Sequence, residues 1–252
     1  MILTDYILEC CVDSLVSAKA AKEGGADRFE LAAHLILGGM TPSKTLIQQV
    51  MELNIPTNVL LRPRFGDFCF DDYEREELIA AVRECRELGT HGIVIGALTP
   101  EGEVDRELME QCIAEAGDME KVFHRAFDVS RDLSKSLETI IELGFDMILT
   151  SGGEAKAIDG AQTIKKLAEQ AAGRINLLVG SGVNHQNIEE LANFTGLHQF
   201  HLSGKVEVDG PMRLRKDTVP MGLPIASEYS RFVTDVDLIK SAKEVLDKLS
   251  EN

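Results

Sequence analysis

The run Val122-Phe123-His124-Arg125-Ala126-Phe127-Asp128 starts apolar and ends in an imidazole, a guanidinium and a carboxylate. Read as a strand, it puts His124, Ala126 and Asp128 on one face and Phe123, Arg125 and Phe127 on the other. A neutral imidazole two residues from a carboxylate is a candidate proton carrier or ligand, and equally a solvated strand end. Other apolar runs carry polar groups in the same way: Glu9 and Glu30 in mid-run, Arg62 and Arg64 after residues 57–61, His201 and Ser203 closing residues 198–202. A carboxylate in mid-strand is costly to bury alone, so Glu9 and Glu30 must meet a cation, a metal or hydrogen-bond donors. An internal ion-pair ring with Arg62 and Arg64 would satisfy them. So would a site in which Glu9, Glu30, His124 and Asp128 do acid/base work while the arginines clamp an anion.

Gly180-Ser181-Gly182 and Ser203-Gly204 also follow apolar runs, as does Ser151-Gly152. Glycine lets backbone N–H groups approach a phosphate, although glycine and serine are also ordinary turn residues. With His201, these residues complete the expected anion-binding set. Cys11 shares the face of Glu9 and Asp13, which makes it the candidate soft-metal ligand. Copper(I) wants two or more sulfur ligands, and Cys69 is the only other cysteine expected near the strand ends. Cys10 points to the opposite face, and Cys85 and Cys112 fall inside helices.

These groups converge only if the elements bring them together. Apolar runs at 6–12, 28–31, 57–61, 92–96, 122–128, 146–150, 175–179 and 198–202 alternate with helical spacing. Helix starts are expected at Ser14, Thr41-Pro42, Asp71, Asp105, about Ser134, about Gly160, about Asn184 and Asp235. A repeat of glycine, one or two residues and a strand recurs at Gly25, Gly89, Gly144 and Gly196, where a left-handed residue would stop each helix. Strands joined by crossover helices run parallel, and eight units in 252 residues is the inventory of an α/β (β/α)8 TIM barrel. The expectation is one barrel domain over residues 1–252, with a polar loop containing Pro211, Pro220 and Pro224 before the last helix. An open doubly wound sheet is the alternative, but Asp13-Ser14 stands where its glycine fingerprint would. In a barrel, the strand ends meet at one mouth.

The formal charge of −16 repels nucleic acid and anionic lipid headgroups, so neither is an expected partner. Residues 1–6 lack a basic leader and no run is long enough to span a bilayer, which predicts a cytoplasmic protein. Five cysteines without paired spacing suggest neither disulfides nor a zinc finger.

Several long motifs resemble the CutC copper homeostasis family: Glu9-Cys10-Cys11-Val12-Asp13-Ser14, Gly24-Gly25-Ala26-Asp27-Arg28-Phe29-Glu30-Leu31, Arg62-Pro63-Arg64, Phe123-His124-Arg125-Ala126-Phe127-Asp128 and Gly180-Ser181-Gly182-Val183. The resemblance implies a cytoplasmic TIM barrel, a homodimer or larger homo-oligomer, with copper held through cysteines. Cys11 matches the first of those cysteines. Where many members have Glu-Leu-Cys this chain has Glu30-Leu31-Ala32, so the second thiol is absent. Two functions are therefore expected to compete: copper ion handling, and a barrel enzyme acting on a small anionic or phosphorylated substrate.

Overall fold

Period-two alternation in eight short apolar runs closes them into a barrel. In the computed structural model, which describes residues 6–216, 218–219, 221–222 and 227–251, the strands are β1 (Ile7–Val12), β2 (Arg28–Leu31), β3 (Thr57–Leu60), β4 (Gly92–Ile95), β5 (Glu120–Phe123), β6 (Met147–Thr150), β7 (Asn176–Val179) and β8 (Gln199–Leu202). They pair in sequence order, every neighbour parallel, and β8 returns to β1. The TIM barrel expected from sequence is therefore formed. Pro220, Pro224 and residues 1–5, on which the reading of a missing leader mainly rested, lie outside the described residues.

The helices are α1 (Leu15–Glu23), α2 (Lys44–Met51), α3 (Asp72–Leu88), α4 (Arg106–Ala116), α5 (Leu133–Leu143), α6 (Ala161–Ala171), α7 (Ile188–Thr195) and α8 (Val236–Ser250). Ser14, Asp71, Asp105 and Asp235 cap their helices as expected, each accepting a backbone N–H from the first turn. Ser43 rather than Thr41 caps α2, and Asp132 rather than Ser134 precedes α5. The four repeat glycines have φ between 71° and 92°, the conformation that ends a helix without a Cβ clash. Among the described residues no helix is long and apolar enough to cross a membrane.

Two apolar regions result. The larger lies between strands and helices and takes the outward face of each strand, including Leu8, Cys10 and Val12 of β1. The smaller fills the barrel with Ala32, Leu60, Val94, Val122, Met147, Leu149 and Leu178, and Leu35 packs against it. Polar side chains replace apolar ones on β1, β2 and β8, and that replacement builds the site.

Residues 205–233 were expected to be a polar loop. They contain instead an antiparallel hairpin, β9 (Lys205–Asp209) with β10 (Ser230–Thr234), standing over the β1 and β8 strand ends. A five-residue alternation paired with a strand more than twenty residues away has no local signal beyond its alternation.

Candidate active site and metal centre

Register brings the first polar cluster together. Glu9 lies beside Arg28 of β2 and His201 of β8, and Cys11 lies beside Glu30. Glu9 Oε2 accepts from Arg28 Nε at 2.5 Å, and its Oε1 is 2.8 Å from His201 Nδ1. Arg28 also donates to the Gln199 side chain at 3.0 Å. The Cys11 thiol donates to Glu30 Oε1 at 3.2 Å, while Glu30 Oε2 is buried without a partner.

Glu9 is 1% exposed. Burial alone would raise its pKa, but the Arg28 charge and His201 outweigh it and hold the carboxyl at about 2. Burial would lower His201, yet Glu30 and Glu9 raise it. Burial raises Glu30, opposed by His201 and reinforced by Glu9. Burial and the Glu30 charge push the Cys11 thiol well up. The cluster thus keeps Glu9 as a carboxylate and Cys11 as a thiol, while the carboxylates favour the protonated form of His201.

One ligand atom from each of Cys11, Glu30 and His201 lies within 4.8 Å of the others. Cys11 also lines a cleft of about 530 Å³ between the barrel and the β9–β10 hairpin, with Asp13, His34, Ser203, Lys205 and Phe232 on its walls. A sulfur, an imidazole and a carboxylate suit a borderline ion such as zinc or copper(II). Ala32, two residues along the Glu30 face, is wholly buried and supplies no second sulfur. The donors present therefore fit a mixed-ligand ion and not a two-thiolate copper(I) site.

The second cluster sits just past the ends of β3 and β5. Arg62 is 6% exposed and His124 5%. Thr41 Oγ1 accepts from the Arg62 backbone N–H at 2.9 Å, and the guanidinium donates to the carbonyls of Gly38, Gly39 and Gly66. It also lies 4.7 Å over the Phe68 ring, whose centroid is 4.9 Å from that of His124. A Cβ on Gly96 would come within 2.7 Å of the imidazole, so only glycine leaves room for His124 there.

Several expected site residues are engaged in structural contacts. The ring of Glu9 and Glu30 with Arg62 and Arg64 is not formed, because strand register gives Glu9 to Arg28. Arg64 is bound to Glu74 at 2.6 Å and Asp67 at 3.0 Å, which neutralises it as an anion clamp. His124 and Asp128 do not share a strand face, since β5 ends at Phe123 and a 3-10 turn follows. Asp128 accepts from Arg125, Thr150 Oγ1 and the backbone N–H groups of Ser151 and Gly153. Its oxygens are committed to anchoring that turn rather than to moving protons. Those same bonds, with Gly152 N–H on Thr150 Oγ1, consume the backbone donors that Ser151 and Gly152 would offer an anion.

Packing also explains other expected anion-binding glycines. A Cβ on Gly180 would be 2.5 Å from Leu149, and one on Gly204 2.6 Å from Ile239. Ser181 holds the β6–α6 loop, its hydroxyl donating to the Ala155 carbonyl and its carbonyl accepting from Ala157 N–H. Ser203 lines the cleft, and Gly182 abuts Lys156. Arg28 and Phe68 were missed; alternation through Arg28-Phe29-Glu30 already puts Arg28 on the Glu30 face.

The CutC family profile matches residues 6–206. This chain belongs to the CutC family. It is 41% identical over 247 residues to the mouse copper homeostasis protein cutC homolog, covering 96% of this chain and 91% of that protein. A CutC family protein from Bacteroides fragilis is 42% identical, covering 96% and 98%. The crystal structure of CutC from Streptococcus agalactiae superposes with a TM-score of 0.74 at 32% identity, covering 78% of this chain and 97% of that one. Thiamine phosphate pyrophosphorylase from Pyrococcus furiosus, at 14% identity and a TM-score of 0.58, shares the barrel alone.

Proposed function

We propose that this CutC-family chain handles a copper ion at Cys11, Glu30 and His201, holding it as an exchangeable ion at the floor of the cleft. The observation that carries the reading is the approach of three chemically different ligand atoms to within 4.8 Å of one another, one of them, the Cys11 thiol, belonging to a residue that lines the cleft beneath the hairpin. Copper displaces protons from His201 and Cys11, so its hold strengthens as pH rises. A single sulfur favours copper(II) over copper(I), and the names of the relatives support copper as the cargo. Copper(II) titration of the wild type and of the Cys11→Ser and His201→Gln variants tests it. Each variant should bind at least about tenfold more weakly; unchanged affinity in both refutes the assignment. The reading includes a cytoplasmic homo-oligomer, supported by Met212, Leu214 and Met221 left exposed after β9. Sedimentation of the full chain checks the assembly.

A second reading, a barrel enzyme acting on a small anionic or phosphorylated substrate, is favoured by the buried Glu9–His201 hydrogen bond with the Glu30 carboxyl close by, three titratable groups whose charges bias one another's protonation.

A further inference from the structure

Arg62 is a buried cation with no carboxylate within ion-pair distance among the described residues; every hydrogen bond its guanidinium makes ends on a neutral carbonyl. Its Nε–H is buried without a partner. A guanidinium left in that state is costly unless an anion compensates it.

His124 supplies a second orphan. The Ala126 backbone N–H donates to Nδ1 at 3.1 Å, so Nδ1 carries no proton and the hydrogen of the neutral ring sits on Nε2. Nε2 is buried and has no acceptor. Burial and the Arg62 charge lower the His124 pKa to about 3, so the ring stays neutral at physiological pH. The ring therefore offers an unused hydrogen-bond donor at Nε2.

Phe68 touches both groups, as the ring under the Arg62 guanidinium and the neighbour of the His124 imidazole. Gly96 and Thr41 fix the pair, one by making room for the imidazole and the other by holding the Arg62 backbone. Two buried donors without partners, one of them on a cation, thus flank a single aromatic ring, and paired N–H donors of this kind stabilise an oxyanion.

We infer that Arg62 Nε–H and His124 Nε2–H form a binding site for the carboxylate of a small organic acid, with His124 as a neutral donor. Charge decides between carboxylate and phosphate. One uncompensated cation balances one negative charge, because Arg64 is already neutralised by Glu74 and Asp67. A phosphate dianion would leave an excess negative charge buried in a chain whose net charge is already −16. The site gives the enzyme reading its substrate class, and it stands on residues separate from the copper ligands.

The test uses the full-length, 15N-labelled protein, stripped of metal and kept in chelator. Long-range 1H–15N spectra of the histidine rings are recorded while acetate, and separately inorganic phosphate, is added to roughly 50 mM at constant ionic strength. The free protein should show His124 as the Nε2–H tautomer. Acetate should move that resonance downfield saturably, with a dissociation constant of about 1 mM or tighter. The Arg62→Lys variant, which keeps the charge and loses Nε, should lose the response at least about tenfold. The Nδ1–H tautomer, a ring unmoved by acetate, a response to phosphate alone, or an intact response in Arg62→Lys would each overturn the proposal. Because no metal is present, failure of the copper reading leaves the result standing, and failure here leaves the copper reading standing.

Discussion

His201 Nδ1 lies 2.8 Å from Glu9 Oε1, and the opposite oxygen of the same carboxylate receives Arg28. Glu9 is therefore the anion that holds the Arg28 guanidinium and the His201 imidazole inside the barrel, and that guanidinium cannot be left alone there without cost. The pair fixes His201 beside Glu30 and Cys11, so the ligand set depends on a residue that is not itself a ligand.

The Glu9→Gln variant should lose about 3–5 kcal/mol of unfolding free energy, because Arg28 is left as a buried, uncompensated charge. Urea denaturation measures it. Adding Arg28→Met should recover part of the loss. A single-variant loss below about 1 kcal/mol would mean that the pair is worth no more than one on the surface.

His124 makes stability depend on pH. The unfolded chain binds a proton at its imidazole near 6.5, which the folded chain refuses until about 3. The contribution is therefore fully present above pH 6.5 and is lost as pH falls toward 3, reaching roughly 5 kcal/mol if the full shift applies. Denaturant midpoints between pH 7 and 4 should fall less in His124→Gln than in the wild type. Parallel slopes would count against a buried neutral imidazole.

Asp128 anchors the turn after β6 with at least four hydrogen bonds to its two oxygens. The Asp128→Asn variant replaces one acceptor oxygen by a donor and should lose about 2–4 kcal/mol in thermal or urea unfolding. Its copper and acetate affinities should stay within about twofold of wild type. A selective loss of either affinity with stability intact would restore Asp128 to the site.

Much of this was legible in the residues because it is periodic or local. Alternation set Glu9, Cys11 and Asp13 on one face of β1, and the glycines at 25, 89, 144 and 196 marked four helix ends. What failed depends on register. Nothing near Arg28 in sequence says that its partner is Glu9 nineteen residues away, and nothing near Asp128 says that the β6 turn will use up its oxygens. The β9–β10 hairpin escaped for the same reason, its strands being joined across a long polar stretch. Thr41 looked like a helix cap and instead clamps Arg62, a role visible only once β3 ends beside it.

Restoring the missing sulfur should convert the site. Ala32 is buried just past β2, two residues beyond Glu30 in the same alternation, so Ala32→Cys adds a second thiol on the side of the ligand cluster. Competition against a copper(I) chelator should show wild type binding copper(I) no tighter than Cys11→Ser, and Ala32→Cys binding at least about 100-fold tighter. Equal affinity in wild type and Ala32→Cys would mean that these positions do not share an ion.

Proton release on copper(II) binding tests the central claim most directly. The Cys11 thiol holds its proton in the folded chain and must give it up to become a ligand, and the carboxylates around His201 favour its protonated form, which copper must also displace. Calorimetric titration at pH 7 in buffers of different ionisation enthalpy should therefore report net proton release on binding, smaller by about one proton per ion in Cys11→Ser. Binding that releases no protons, or that is identical in Cys11→Ser, would place the copper elsewhere and contradict the account.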